Sequence, residues 1–197
     1  PIGSNMAFYA NNMAVSGTGT VCPLGSCTAQ MRGFLAGTGG SAVGVSYFFG
    51  DNNSDLTTYG AAAFTASNTP TPTPTPTPGG TTSDFTGTRS PVNYYTDTNG
   101  SLATGVGGDA VLETGAPVSF TSFLGTTSKG TASVANEGDV GSLAWARWTG
   151  GTVQQNGTAV EVGPNGGYHV FAGTPTIALP SSGKVDYEMI ATTTATD

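Results

Sequence analysis

The sequence predicts an all-β fold of antiparallel sandwich or barrel elements, in two β-rich parts joined by a Thr-Pro linker. Three observations predict it. The 197 residues include 31 glycines, with Ser and Thr throughout, and such residues favour turns. Short runs alternate apolar and polar residues, and no window of useful length shows the helical period. Short strands between turn-forming residues are typical of antiparallel sandwiches and barrels.

The first β-rich part covers residues 1–64. Residues 43–49 alternate with the period of a strand, so their larger side chains share one face. A strand that begins near Phe8 changes phase at Asn11 and Asn12, which predicts a β-bulge there. This part is therefore expected to form an N-terminal sheet.

The chain contains two cysteines, Cys22 and Cys27, with four residues between them. Pro23 and Gly25 favour a tight turn that brings the two sulfurs together, which predicts a local disulfide and an oxidising compartment. Two free thiols are the alternative. No metal site is expected, because the single histidine of the chain cannot complete the usual zinc ligand sets.

Residues 65–84 form the predicted linker, in which Thr and Pro alternate from 69 to 78. Each proline fixes its own φ and pushes the preceding Thr toward extended geometry. The result is a polyproline-II rod that rises about 3.1 Å per residue. Alternating Thr and Pro is also a good acceptor for O-linked sugars, although a plain spacer is the alternative. The candidate glycosylation sites are Thr71, Thr73, Thr75 and Thr77.

The second β-rich part covers residues 85–183. Leu143, Trp145 and Arg147 alternate with small residues and predict one face of a strand. The turn-forming residues 136–139 predict a turn just before it.

Residues 184–197 predict a separate C-terminal strand. Val185, Tyr187 and Met189 share one face of it, and the charged residues between them share the other. These three residues are the candidate contacts for assembly.

The charge of the chain excludes two classes of partner. The net charge is −7, and only five residues are Lys or Arg. They are spread along the chain, whereas nucleic-acid binding needs clustered cations to neutralise phosphates. An anionic membrane surface would repel the chain for the same reason, and no apolar stretch is long enough for a membrane span.

No catalytic set is visible, so the chain is not expected to be an enzyme or to carry a cofactor. His169 is the only histidine, and no Gly-x-Ser-x-Gly nucleophile elbow occurs. A strand histidine with a structural hydrogen bond is the better interpretation. Residues 51–55 imitate the opening of a calcium loop, but the Gly and Glu that such a loop needs next are missing, which favours a hairpin tip.

Trp145, Arg147 and Trp148 form a candidate ligand platform. An arginine between two tryptophans can build a cation–π cluster on the protein surface. The alternative is that one tryptophan belongs to the core and the other covers the edge of the domain.

Several motifs together resemble one family. They are residues 145–150 (Trp-Ala-Arg-Trp-Thr-Gly), 167–176 (Gly-Tyr-His-Val-Phe-Ala-Gly-Thr-Pro-Thr), 33–37 (Gly-Phe-Leu-Ala-Gly) and 60–64 (Gly-Ala-Ala-Ala-Phe). The chain resembles the secreted transferrin-binding-protein-like solute-binding proteins of bacteria, often associated with a FecR-type domain. The resemblance implies a small antiparallel barrel preceded by a β-rich domain, on the outer surface of a Gram-negative-type bacterium.

The order of these motifs is reversed relative to the family, in which residues like 33–37 close the protein and residues like 145–150 open it. The reversed order predicts open edges on the N-terminal sheet and on the last strand, and open edges invite another chain. We therefore expect an extracellular structural subunit that assembles head-to-tail with copies of itself by strand complementation, into a filament or surface layer. The alternatives are a monomeric surface protein that binds an iron protein or a small solute, and a chain that pairs its own ends.

Overall fold

A computed structural model describes residues 7–16, 26–50, 57–67, 87–98, 101–122, 125–176, 178 and 185–194. These residues form two antiparallel β-sheets and one short 3-10 turn, Thr38–Gly40. The predicted all-β, antiparallel fold is therefore confirmed. Residues 68–86, which hold most of the predicted linker and all four candidate glycosylation sites, lie outside the described residues. No helix in the described ranges is long and apolar enough to cross a bilayer.

The first sheet has five strands and joins the two ends of the chain. Its strands are β1 (Ala7–Ser16), β2 (Ser26–Ala36), β3 (Ala42–Gly50), β4 (Thr57–Ser67) and β14 (Asp186–Thr192), in the spatial order β1-β2-β3-β4-β14.

The second sheet has nine strands. They are β5 (Gly87–Thr98), β6 (Ser101–Glu113), β7 (Ala116–Ser122), β8 (Gly125–Ser128), β9 (Ser133–Val140), β10 (Leu143–Thr149), β11 (Gly151–Gln155), β12 (Thr158–Val162) and β13 (Tyr168–Gly173), in the spatial order β12-β11-β8-β7-β6-β5-β13-β10-β9.

Strands β10 and β13 form a middle layer that is buried on both faces. Leu143 and Trp145 of β10 and Phe171 of β13 pack with alanines of the five-stranded sheet. The alternate residues, Trp148 and Tyr168 among them, belong to a second core inside the nine-stranded sheet. Because successive side chains of a strand point to opposite faces, one pair of strands supplies both cores.

The contact between the sheets depends on a glycine. Phe34 of β2 stacks on Phe171 with ring centroids 5.3 Å apart. Phe171 lies directly on Gly44 of β3, where an added Cβ would be 2.4 Å from its ring. Any larger residue at position 44 would separate the two sheets.

The second core is built around Trp148, which is fully buried. Its ring lies 5.4 Å from that of Tyr168 and 5.8 Å from that of Phe120. The indole N–H donates a hydrogen bond of 2.9 Å to the carbonyl of Pro117. Trp145 lies on the opposite face of β10, and its indole nitrogen has no hydrogen-bond partner within the described ranges.

Replacing Trp148 with Phe is expected to cost more stability than replacing Trp145 with Phe. Both changes remove similar volume from a buried site, but only the first leaves a buried carbonyl, that of Pro117, without its donor. Such a loss costs about 1–3 kcal/mol. Urea unfolding of the two variants checks the difference, and equal losses would contradict the contact described for Trp148.

Two predicted irregularities have different outcomes. The β-bulge at Asn11 and Asn12 is confirmed, because the pairing of β1 with β2 shifts between Ala10 and Met13. The turn predicted at residues 136–139 is wrong. These residues lie within β9, and Asn136, with φ of 50°, sits at a shift in its pairing with β10. Residues that tolerate positive φ serve a bulge as well as a turn.

Candidate functional site

The C-terminal strand completes the five-stranded sheet of its own chain. β14 pairs antiparallel with β4, with Tyr187 opposite Ala66 and Met189 opposite Phe64. Val185 precedes the strand and is exposed. The expectation that the last strand lacks a partner within the chain is therefore wrong. Sequence patterns show which faces a strand presents but not which strand it joins.

A group of hydrogen bonds, here called the C-terminal latch, holds the end of β14 against both sheets. Thr193 N–H donates to the carbonyl of Ala61 at 2.9 Å, and the Ala61 N–H donates to Thr193 Oγ1 at 3.0 Å. The same Oγ1 lies 2.8 Å from Nδ1 of His169 on β13. Thr194 N–H donates to Asn136 Oδ1 on β9 at 3.2 Å. The latch thus joins the chain end to three other strands.

Arg147 supports the latch from the same layer. Its Nε donates to Asn136 Oδ1 at 3.0 Å, and its guanidinium also contacts the carbonyl of Gly166 at 3.4 Å. Trp145 and Trp148 are buried on opposite faces of β10. The three side chains therefore do not form the exposed ligand platform proposed from the sequence.

His169 is a buried structural residue, as the sequence predicted. It is fully buried and hydrogen-bonded to Thr193. Burial, with a smaller contribution from the positive charge of Arg147, lowers the pKa of His169 to about 3. The imidazole is therefore neutral at ordinary pH, which matches its place between two sheets.

Two further expectations concern residues beyond the described ranges. Cys27 is buried and is not a free thiol, but Cys22 lies outside the described residues, so the Cys22–Cys27 disulfide stays a prediction. The calcium-like residues 51–55 also lie outside. Among the residues that the structure does describe, no group of His, Cys, Asp and Glu is arranged to hold a metal ion.

A cavity of about 620 Å³ opens at one end of the interface between the sheets. It is called the hydroxyl cavity here because four of its lining residues carry hydroxyl groups. Its described lining residues are Gly37, Thr38, Gly39, Ser41, Ser142, Thr174, Pro175 and Ala178. Its size lies in the range of about 300–1,000 Å³ that is usual for small-molecule sites.

Backbone hydrogen bonds fix the rim of the hydroxyl cavity. Gly37 N–H donates to the carbonyl of Thr174 at 3.0 Å, and Thr176 Oγ1 donates to the carbonyl of Gly37 at 2.9 Å. On the other side of the turn, the Tyr187 hydroxyl donates to the carbonyl of Gly40 at 2.8 Å. The C-terminal strand therefore braces the turn that forms one wall of the cavity.

Two serine hydroxyls from different loops approach each other over Gly37. A Cβ added to Gly37, whose φ is 76°, would lie 2.4 Å from Ser41 Oγ and 2.6 Å from Ser142 Oγ. Only glycine fits here, both for its positive φ and for the space. Ser41 directly follows the turn Thr38–Gly40, whereas no local sequence pattern brings Ser142 to that turn.

No protein-family model, no curated protein and no solved structure significantly matches this chain. The resemblance to transferrin-binding-protein-like proteins therefore stays a prediction from sequence motifs. The two features of the described structure that bear on function are the pairing of the C-terminal strand with β4 and the hydroxyl cavity.

Proposed function

We propose that the chain is an extracellular, non-enzymatic binding module that works as a single copy and holds a small polar solute in the hydroxyl cavity. The observation that carries this proposal is the rim of the cavity. Its backbone groups at Gly37 and Gly40 are engaged in hydrogen bonds with the scaffold. A site that is formed before its ligand arrives loses little entropy when the ligand is ordered there.

The edges of the described sheets support function as a single copy. Three of the four edge strands, β1, β9 and β14, carry a break in the pairing register, at Asn11–Asn12, at Asn136–Glu137 and at Ile190 respectively. The fourth, β12, pairs with β11 without a break but is only five residues long, and short edge strands also limit pairing. Bulges on edge strands oppose pairing with another chain. Addition of a second copy to these edges is therefore disfavoured.

A thermal-shift screen with a mixed library of charged and neutral solutes tests the binding function. A solute present at about 100 times its Kd stabilises the fold by about 2.7 kcal/mol, which raises Tm by roughly 5–10 °C for a chain of this size. If every solute left Tm unchanged, the proposal would be abandoned.

A structural subunit remains a second candidate, favoured by one observation. The contacts between β14 and β4 join residues far apart in the sequence, and the same register can form between the β14 of one copy and the β4 of the next. Exchange of β14 would build the head-to-tail filament expected from the sequence without any new interface.

A cysteine pair separates the two candidates. Thr65 and Glu188 lie directly opposite each other on β4 and β14, so cysteines at both positions are close enough to be oxidised to a disulfide. In the double variant T65C/E188C, a single copy gives only monomers on a non-reducing gel, whereas strand exchange gives a covalent ladder. Each single variant serves as the control for nonspecific cross-linking.

A further inference from the structure

The four hydroxyls of the cavity are free to bind a ligand. They belong to Thr38, Ser41, Ser142 and Thr174, and none of these hydroxyls has a hydrogen-bond partner among the described residues. Each hydroxyl can donate one hydrogen bond and accept others. A ligand that matches such a set carries several groups that also both donate and accept.

The lining also selects by charge. None of the described residues that line the cavity is ionisable, and the whole chain carries a net charge of −7. A carboxylate or phosphate would lose hydration on entering the cavity without gaining a counter-charge, and the field of the chain would repel it. These conditions disfavour an anionic ligand.

We infer that the hydroxyl cavity binds a neutral polyhydroxylated compound, a saccharide or a sugar alcohol, with Ser41 and Ser142 holding one ligand hydroxyl between them. This inference rests on the proposed binding function and names its ligand class. The part of the lining that the structure describes contains no aromatic ring, so hydrogen bonds, rather than stacking on a ring, determine the affinity. Recognition by hydroxyl pairs rejects ligands that lack hydroxyls, because the serines would then be left without partners.

The first test measures binding of matched pairs of sugars to the wild-type chain by calorimetry or by ligand-detected NMR. The probes are glucose with glucuronate, maltose with its uronic acid analogue, and sorbitol with gluconate. Neutral members are expected to bind at least about ten-fold more tightly than their anionic partners. Equal affinity within the pairs, or binding of the anions alone, would overturn the inference.

The second test uses variants of the two serines. Replacing both with alanine, S41A/S142A, removes two hydrogen bonds to the ligand and should weaken binding about ten-fold or more. Ser142→Trp fills the cavity and should abolish binding. The exposed serine Ser133 on β9, replaced by alanine, is the matched control and should leave binding unchanged.

The two proposals fail in different ways. A chain that binds no solute of any kind in the screen contradicts the binding function itself. Binding of charged or apolar solutes would contradict the ligand class but not the binding function. Binding of neutral sugars by S41A/S142A and S142W as tightly as by the wild type would likewise leave the binding function intact and rule out this site. Melting curves of all variants show whether a loss of binding is a loss of fold.

Discussion

Deleting residues 184–197 is expected to unfold the five-stranded sheet, and a synthetic peptide with those residues is expected to restore it when added in trans. The deletion removes β14 and with it the ladder that satisfies the outer edge of β4. It also removes Ala191, which is fully buried in the core between the sheets. The hydroxyl cavity should be lost as well, because Tyr187 braces the carbonyl of Gly40.

The size of the effect follows from the contacts that disappear together. The deletion leaves Nδ1 of His169 and the N–H of Ala61 without the hydroxyl of Thr193, and each buried polar group left unpaired costs about 1–3 kcal/mol. With the lost ladder and core contacts, the total is about 5 kcal/mol or more. That is comparable to the whole stability of an ordinary domain, about 5–15 kcal/mol.

Near-UV circular dichroism and thermal melting of the deleted chain, with and without the peptide, provide the measurement. A peptide carrying Ala191→Asp is the matched control, since it keeps the length and the register but places a charge in the apolar core. Restoration by the native peptide alone is the expected result. A deleted chain that melts like the wild type would show that β14 is not part of the folded sheet.

The strands could be predicted from the sequence more fully than their partners. Val43 and Val45 alternate as strand residues, and the structure places both in one apolar cluster on the outer face of the five-stranded sheet. The bulge at Asn11 was visible because alternation is a local property. Which strand pairs with which depends on contacts between distant residues, and the pairing of β14 with β4 has no local signature.

The hydroxyl cavity could be predicted from the sequence even less than the strand pairing, because it too depends on contacts between distant residues. Ser142 lies in the loop between β9 and β10, and it meets Ser41 only because the two sheets pack through Phe34 and Phe171. The prediction of an exposed platform around Trp145 is wrong because a strand buried on both faces can show the same sequence alternation as a strand with one exposed face. The role of Arg147 could not be predicted from the motif either, because its hydrogen-bond partners, Asn136 and Gly166, lie outside it.

Acidification from pH 7 to pH 5 is expected to lower the free energy of unfolding through His169. Its pKa is about 3 in the folded chain and about 6.5 in an unfolded one. Between these two pH values the imidazole is mostly protonated in the unfolded chain and mostly neutral in the folded chain. The free energy of unfolding therefore falls as the pH falls. The loss relative to pH 7 is about 2 kcal/mol by pH 5 and about 4 kcal/mol by pH 3.

The single histidine makes this prediction direct to check. Its ring proton resonance is the only one of its kind in the chain, and it should not titrate between pH 7 and pH 5 while the fold is intact. Urea unfolding of the wild type and of His169→Gln at both pH values then isolates the histidine from the carboxylates. Glu137, whose pKa is raised by burial, acts with the opposite sign in both proteins. The wild type should lose about 2 kcal/mol more of its free energy of unfolding than the variant. Equal losses, or a ring proton that titrates near pH 6.5 in the folded chain, would contradict the prediction. Either result would mean that burial and the charge of Arg147 do not keep His169 neutral between the sheets.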